Sequence, residues 1–449
     1  MAHTTRIGGM RQAIARLVTL LSLFGAAAAM AADTGGDKHL GVASCAGSTC
    51  HGSTRPFADS RIRQDEYFVW QRKDAHARSY VTLRSSRSQA IARKLGLSDA
   101  AAAPRCLVCH ADSVAEAQRG ERFQLSDGVG CEACHGGAEH WIGPHAAGYK
   151  NNDERSAAGL RPTWDVAARA AICADCHVGS DSHPMSHAIM AAGHPPLLFE
   201  LDTFQVLEPP HWHVDAGYVQ RKGPQDPARN WAAGQAEGAR KLLQNLAGPR
   251  FGNGMFPELA FFDCNACHHS LVKAGRARPQ RSGGLPDGAV PLADSQLVML
   301  IRWLQVADAA TGRKWHDQWV ALQQASQRGP AEVRARAEAM LATLDGSVLP
   351  LVRDSTLDDR QLQRLLGSIV GEARGAHIGD FSDAEQTAMA VSVLTTALSE
   401  RGAEMVSPRL RHAVDALYAQ VRDRDAFAPE SYSRSVEAVA AALGLPGAG

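Results

Sequence analysis

The sequence predicts a mainly α protein built from two parts that differ in composition. Five short cysteine motifs lie between residues 45 and 268, in a stretch that is rich in glycine, proline and histidine and has few long periodic runs. From Asp294 onward there is no cysteine, and apolar residues recur at the spacing of an amphipathic helix. No segment carries a strong strand signal. We therefore expect short helices and loops in the first part and an all-α helical bundle in the second.

The first 31 residues have the pattern of an export signal. Arg6, Arg11 and Arg16 form a basic start, residues 17–29 form an apolar run, and Ala29-Met30-Ala31 is a small-x-small cleavage site. The apolar run is shorter than the about 20 residues that cross a bilayer, which argues against a retained anchor. We predict a signal peptide cleaved near Ala31, a periplasmic protein, and a mature chain with no integral membrane span.

All ten cysteines lie in motifs that end in histidine. Four motifs have the form C-x-x-C-H, and the first has four residues between its cysteines. The motifs are Cys45/Cys50/His51, Cys106/Cys109/His110, Cys131/Cys134/His135, Cys173/Cys176/His177 and Cys264/Cys267/His268. In such a motif the two thiols add to the vinyl groups of one haem, and the histidine binds the iron from the proximal side. The sequence therefore predicts five covalently attached haem c groups and leaves no cysteine for a disulfide or a zinc site.

The motifs delimit the predicted domains. Residues 32–273 are expected to form a pentahaem cytochrome c domain of short helices and loops around stacked haems, which supply a large apolar surface to bury. Residues 274–291 have the composition of a linker. Residues 292–449 are expected to form a bundle of six or seven helices.

Two features support the predicted bundle. Apolar residues follow a helical period at Leu297, Leu300, Ile301 and Leu304, and again at Val333, Ala337, Met340 and Leu341. Ser382 with Glu385 predicts a capping box, and Ser407-Pro408 predicts a helix start with proline in the first position.

Each iron has a second, distal face that another residue can fill. The spacing rules do not select among the thirteen other histidines of the mature chain. Sequence context favours His76, His145 and His194 as distal ligands, with His187 and His140 as weaker candidates. A surface or hydrogen-bonded role is the alternative for each of them. His39, His211 and His213 stay open as ligands. His316 is expected to be structural, with ligation of a haem iron as the alternative.

Several segments resemble the cytochrome c-554 type of multihaem cytochrome. They are residues 45–51, 74–77, 128–136, 190–195, 199–201 and 262–269. The segment Gly-x-Gly-Cys-Glu-x-Cys-His-Gly at residues 128–136 is quite specific. The resemblance implies closely packed haems used for electron transfer, several with two histidine ligands, and it implies that His76 and His145 are distal ligands. The fifth haem site and residues 292–449 lie outside what it explains.

These features predict an electron carrier rather than an enzyme, with no catalytic residues. The expected partners are redox proteins, such as other cytochromes or a quinone-linked oxidoreductase. The alternative is a multihaem oxidoreductase that keeps one iron five-coordinate and acts on a small nitrogen or sulfur compound. A third possibility is a scaffold role for the bundle, which would dock another redox protein or form a dimer.

The charge balance argues against a nucleic acid partner. The formal net charge is zero, but removal of the signal takes away three arginines and no acidic residue. Two propionates on each haem add further negative charge. An acidic holoprotein favours a partner with a basic docking face.

The use of every cysteine in a motif leads to the first prediction. The intact mass of the mature protein should exceed that of its polypeptide by five haem groups, because each motif attaches one. A gain of four would show that the stretched first motif does not bind haem.

Overall fold

The computed structural model describes residues 36–446 except 59–61, 213, 224, 253, 255, 269–283, 287, 376–377 and 379. The predicted signal peptide, most of the predicted linker, and His213, His269 and His377 lie outside the described residues. Regular structure in the described part is helical, apart from two isolated bridges that pair His39 with Arg119 and Phe262 with Leu292. The predicted mainly α fold is confirmed. No helix of the described residues has the length and hydrophobicity needed to cross a membrane.

The first part contains short helices joined by loops. Its α-helices are α1 (Glu66–Lys73), α2 (Ser79–Leu83), α3 (Ser86–Lys94), α4 (Pro104–His110), α5 (Cys131–His135), α6 (Ile142–Ala147), α7 (Asn152–Ala157), α8 (Val166–His177), α9 (His187–Ala191), α10 (Leu201–Leu207) and α11 (Ala216–Lys222). Single 3₁₀ turns occupy Val42–Ser44, His76–Arg78, Glu116–Gln118 and Leu125–Asp127. Most of these helices are too short to be stable alone, so their positions depend on tertiary contacts.

Longer helices follow. They are α12 (Pro227–Ala247), α13 (Pro249–Gly252), α14 (Cys264–Cys267), α15 (Ser295–Ala307), α16 (Ala309–Ala325), α17 (Pro330–Thr343), α18 (Leu349–Asp354), α19 (Asp359–Gly375), α20 (Phe381–Glu400), α21 (Pro408–Ala419) and α22 (Pro429–Ala442). A 3₁₀ turn at Leu259–Phe261 precedes α14, and a π turn at Leu344–Val348 joins α17 to α18.

Helix α12 connects the two parts of the protein. It packs against α8 and α10 of the first part and against α15, α17 and α20 of the second. Small residues allow this close packing: a β-carbon at Gly234 would lie 2.7 Å from Cβ of Leu201 in α10. The main hydrophobic core accordingly runs without a break from α12 into the C-terminal helices. The core of the bundle therefore includes a helix that precedes the predicted linker, and the domain boundaries stay a prediction.

A buried polar chain crosses the same junction. Nε2 of Gln235 in α12 donates to Oε1 of Gln386 in α20 at 3.1 Å, and Nε2 of Gln386 donates to the carbonyl of Phe199 at 2.9 Å. Both glutamines are buried. Because unpaired amides are costly in an apolar core, these bonds fix α20 against the first part in one register.

The second part agrees with most of the sequence pattern. The predicted apolar positions Leu297, Leu300, Ile301 and Leu304 are buried, and Ser407 caps α21 with Pro408 in its first turn, as predicted. Eight α-helices lie in the described part of residues 292–446, rather than six or seven. The difference arises around Pro350, which has no N–H to continue the α-helical hydrogen bonds of α17. A π turn therefore separates α17 from α18.

The predicted capping box at Ser382 is wrong. Helix α20 begins at Phe381, two residues earlier than a cap at Ser382 requires. Asp380 is its cap, because the Asp380 carboxylate accepts from the N–H groups of Ser382 and Asp383. Aspartate and serine are comparable caps, so the choice between these two candidates, two positions apart, depended on the chain path before the helix.

Shortening one buried side chain of α12 tests the role of this helix at the junction. Leu243 is fully buried in the main core, so Leu243→Ala should lower the free energy of unfolding by about 2–5 kcal/mol. Chemical denaturation followed by far-UV circular dichroism measures the change. Gln244→Ala, at an exposed position of the same helix, is the matched control. Equal stability of the two variants would contradict the packing of α12 in the core.

Candidate haem sites

Helical geometry places the cysteines and the histidine of each regular motif together. Helix α4 ends at His110, α5 spans Cys131–His135, and α8 ends at His177. Residues three and four positions apart share one face of a helix, so the two thiols and the imidazole face the same side. That is the arrangement a haem needs when two thioether bonds and one iron ligand come from a single short segment.

The stretched first motif reproduces the backbone relation of a regular one. The N–H of His51 donates to the carbonyl of Cys45 at 3.2 Å, and the N–H of His268 donates to the carbonyl of Cys264 at 2.7 Å. The two extra residues of the first motif are therefore looped out between its cysteines. Gly52 permits this loop, because a β-carbon there would lie 1.9 Å from the Ala46 carbonyl oxygen.

Cys50 departs from the surroundings expected of a thiol that holds a haem. It is exposed, whereas Cys45 of the same motif is half-buried and is hydrogen bonded to Cys131. The physical reason is the longer spacer: the N–H of Cys50 donates to the carbonyl of Gly47 at 2.9 Å, and this turn brings Cys50 to the surface. Cys267 of the last motif is also exposed. Burial therefore supports Cys45 as a haem thiol, and attachment through Cys50 stays a prediction of the sequence motif.

Four of the five motif histidines face a second histidine from a distant segment. The centroids of the paired rings are 6.0–6.3 Å apart. The pairs are His51 with His145, His177 with His76, His110 with His194, and His268 with His187. Each pair joins a predicted proximal ligand to a predicted distal ligand.

This spacing fits one metal ion between two imidazoles. A histidine nitrogen lies about 2 Å from the metal it binds. With the distance from that nitrogen to the ring centre added on both sides, two rings in line with one metal are roughly 6 Å apart. The residues present therefore fit an iron with two axial histidines at each of these four positions.

Hydrogen bonds at the other ring nitrogen orient four of these imidazoles. Nδ1 of His51 lies 3.0 Å from Oε2 of Glu66, and Nδ1 of His76 lies 3.0 Å from Oδ1 of Asp74. Nδ1 of His110 and of His194 lie 3.1 Å and 2.7 Å from the backbone carbonyl oxygens of Ser79 and Pro195, respectively. Each acceptor holds the proton on Nδ1, which leaves Nε2 with the free electron pair that a metal ligand needs.

Burial keeps several of these imidazoles neutral. Desolvation lowers the pKa of His135 and of His177 to about 4 and also lowers the pKa of His110 and His145. Only a neutral imidazole binds a metal, so a low pKa favours ligation at neutral pH. His51 and His76 differ, because their hydrogen bonds to Glu66 and Asp74 raise their pKa.

His135 is the motif histidine with a different environment. No ring pair among the described residues includes it, and His213 lies outside that part of the chain. His211 is close enough for its charge to lower the pKa of His135 after the larger effect of burial. Nδ1 of His211 lies 3.9 Å from Oε1 of Glu208. The ring contacts therefore identify no distal histidine opposite His135.

Comparison with known proteins identifies the family of the first three motifs. Residues 44–136 match the family model for cytochrome c554 and c-prime. This segment belongs to the cytochrome c-554 family. The match covers about a fifth of the chain. No curated protein and no solved structure matches the chain.

The cytochrome c-554 segment also contains the two carboxylates that the sequence reasoning missed. Glu66 and Asp74 were not recognised as candidates, because a hydrogen bond to a histidine leaves no spacing rule in the sequence. The order Asp-x-His at residues 74–76 is the nearest thing to a signal, since a carboxylate two residues before a histidine can fold back onto its ring. The family match of this segment implies covalently bound haem c, and both carboxylates lie beside its predicted ligands.

Glu132, inside the third motif of the cytochrome c-554 segment, holds a neighbouring stretch of chain in place. Its carboxylate accepts from the backbone N–H groups of Leu40, Gly41 and Ala138 at 2.7–2.8 Å. His39, which the sequence left open as a ligand, is buried and bonds to Asp112 at 2.7 Å. Both groups have their partners within the protein, so we assign them structural roles.

The remaining predicted ligand, His140, is not brought to a motif histidine in the described part of the chain. Its side chain is 68% exposed and lies 3.6 Å from Asp37 and 3.9 Å from Glu139. His145, five residues later in the sequence, lies in α6, and its ring faces that of His51. His316 lies on α16, where its ring packs against Trp319.

Hydrogen bonds and electrostatic effects between thiols indicate which motifs are neighbours. Three thiol pairs join different motifs: Cys45 with Cys131, Cys109 with Cys176, and Cys134 with Cys173. The first two pairs are hydrogen bonded, and in the third the charge of Cys173 adds to the burial that raises the pKa of Cys134 to about 12. The third motif therefore lies between the first and the fourth, and the fourth lies beside the second.

Removing a distal histidine should open one axial position. We expect His145→Ala and His76→Ala each to convert one ferric iron from low spin to high spin, measured by electron paramagnetic resonance and by absorbance. His140→Ala is the matched control and should leave the spectrum unchanged, because that side chain is at the surface. Unchanged spectra in all three variants would contradict the pairing of His145 with His51 and of His76 with His177.

Proposed function

We propose that this protein is a periplasmic pentahaem cytochrome that transfers electrons between redox partner proteins. The observation that carries this proposal is the set of four histidine pairs, each with the ring spacing of two ligands on one metal ion. When bound, haem c supplies one-electron oxidation and reduction at its iron. The cytochrome c-554 family match supports the same chemistry for the first three motifs.

The residues of the chain have two tasks in this function. The ten cysteines would hold the haems through thioether bonds, so that the cofactor could not dissociate. The paired histidines would hold an iron from two sides, which would leave no position for a substrate. Full coordination also keeps the ligand set the same in both oxidation states, and this favours electron transfer over chemistry on a bound molecule.

A count of five is supported by the first and the last motifs. The first keeps the hydrogen bond between His51 and Cys45 despite its longer spacing, and His51 faces His145. The last has the corresponding bond between His268 and Cys264, and His268 faces His187. Each motif therefore offers a positioned imidazole with a second imidazole opposite, although its second cysteine is exposed.

A continuous order of sites follows from the contacts between motifs. The interactions between thiols support a neighbourhood of the first motif with the third, the third with the fourth, and the fourth with the second. His187 and His194 lie within one short segment and face the fifth and the second motif, respectively. We therefore propose the order first, third, fourth, second, fifth for electron passage.

The predicted export signal and the charge balance support the rest of the proposal. An exported chain reaches the compartment where c-type haems are attached and where other cytochromes act. An acidic holoprotein would meet partners that present a basic face. The partners proposed are other cytochromes or a quinone-linked oxidoreductase.

One observation supports the alternative function as an oxidoreductase. His135 has no paired histidine among the described residues. The charge of His211, which lies beside Glu208, lowers the pKa of His135. An iron held by His135 with an open sixth position would bind a small nitrogen or sulfur compound there. If His211 or His213 were the distal ligand, the sixth position would be occupied and no substrate could bind there.

Binding of carbon monoxide to the reduced protein separates the two functions. Carbon monoxide binds ferrous haem only at an open axial position. The electron carrier predicts no binding to any iron, and the alternative predicts one carbon monoxide for each chain. His145→Ala is the positive control and should gain one site. Binding of two or more molecules by the unaltered protein would contradict the assignment of the four histidine pairs.

A further inference from the structure

We propose that Glu66 and Asp74 set the reduction potentials of two electronically different irons, one held by His51 and His145 and the other by His177 and His76. This inference rests on the proposed function, because it takes the histidine pairs to be axial ligands. It goes further by assigning a role to two carboxylates that lie outside the cysteine motifs and that sequence spacing does not mark.

The four pairs fall into two classes by the angle between their ring planes. The planes are 22° apart in the pair of His51 and His145 and 24° apart in the pair of His187 and His268. They are 81° and 86° apart in the two remaining pairs, which contain His177 and His110. The structure therefore contains two nearly parallel pairs and two nearly perpendicular pairs.

Ring orientation changes the electronic state of a low-spin ferric iron. Parallel imidazoles donate into the same iron d orbital, which separates it in energy from its neighbour. Perpendicular imidazoles donate into two different d orbitals, which stay close in energy. A parallel pair therefore gives a well-resolved rhombic resonance spectrum, and a perpendicular pair gives one broad feature at a high g value. The two classes are distinguishable in a single sample.

One member of each class has a carboxylate at Nδ1. Glu66 bonds to His51 of a parallel pair, and Asp74 bonds to His76 of a perpendicular pair, both at 3.0 Å. The other perpendicular pair has only neutral acceptors, because His110 and His194 bond to backbone carbonyl oxygens. The chain thus provides charged and neutral versions of the same hydrogen bond on irons of similar ring geometry.

The sign of the effect follows from the charges. A buried carboxylate beside an axial imidazole makes the ring a stronger donor and adds negative charge near the metal. Both changes stabilise the ferric ion relative to the ferrous ion, which carries one positive charge less. One electron reduces the iron, the carboxylate stays ionised, and no proton is transferred. The carboxylate therefore lowers the reduction potential of that iron.

The burial of the two carboxylates makes this charge effective. The side chain of Asp74 is 7% exposed and that of Glu66 is 15% exposed. Asp74 also accepts from the backbone N–H of His76 at 2.9 Å, which fixes it under the ring. Dissolved salt screens partly buried charges of this kind only weakly, so the effect on the potential should persist at high ionic strength.

The test is a reductive titration of the full-length holoprotein followed by electron paramagnetic resonance. The variants are Glu66→Gln and Asp74→Asn, which keep an oxygen acceptor for Nδ1–H and remove only the charge. Glu66→Gln should raise the potential at which one rhombic signal disappears and leave the broad signals unchanged. Asp74→Asn should raise the potential of one broad signal and leave the rhombic signals unchanged. Glu121→Gln and Asp153→Asn, at exposed positions, are matched controls and should move neither signal.

The outcomes separate this inference from the function on which it rests. Absence of low-spin signals of the two classes from the unaltered ferric protein would overturn the axial pairs and thus the proposed function. Both classes present, with potentials in the two variants equal to those of the controls, would overturn the role of the carboxylates alone. Haem content by absorbance identifies a variant that fails to mature. In that case Glu66→Asp and Asp74→Glu, which keep the charge, should restore both the haem content and the original potential.

Discussion

We propose that the first part of this protein depends on the bond between an iron and two histidines from distant segments. Apart from the main core, its buried apolar clusters are small, and its helices are short. The four histidine pairs instead join residues that are between 81 and 101 positions apart in the chain, as in the pairs with His187, His110, His145 and His76. With haem bound, each pair would become a cross-link, and the porphyrin would replace the missing core. Folding and cofactor attachment are then one process in this part of the molecule.

The second part is stabilised in a different way, by a continuous hydrophobic core. Helix α12 belongs to that core and also packs against α8, which ends in the fourth haem motif. A displacement of α12 would therefore be transmitted to His177 through α8. This connection gives the bundle a clear structural task, which is to hold α8 and α10 in place behind the haem sites. It does not require the bundle to supply an iron ligand.

The sequence identifies the haem motifs directly but not every feature of their surroundings. Cysteine spacing is a covalent requirement, so all five motifs and their proximal histidines were available from the chain alone. The exposure of Cys50 was not, because it depends on how the longer spacer turns. The helical period in residues 292–449 gave no sign that α12, before the linker, completes the same core.

The predicted distal histidines were selected by sequence context and by resemblance to the cytochrome c-554 family. The structure brings His76, His145, His187 and His194 to motif histidines. His140 and His145 have similar sequence surroundings, and only the turn of α6 distinguishes them. The carboxylates beside His51 and His76 were missed because hydrogen bonds between side chains have no fixed spacing.

Anomalous diffraction at the iron absorption edge, from crystals of the mature holoprotein, tests the central claim most directly. Positions of the metal are then determined without reference to the histidines. We expect five iron peaks for each chain, four of them midway between the paired rings of His51 and His145, His177 and His76, His110 and His194, and His268 and His187. A peak next to a motif histidine whose proposed partner lies out of coordinating distance would contradict the assignment for that site, and several such peaks would contradict paired histidine ligation as the basis of this fold.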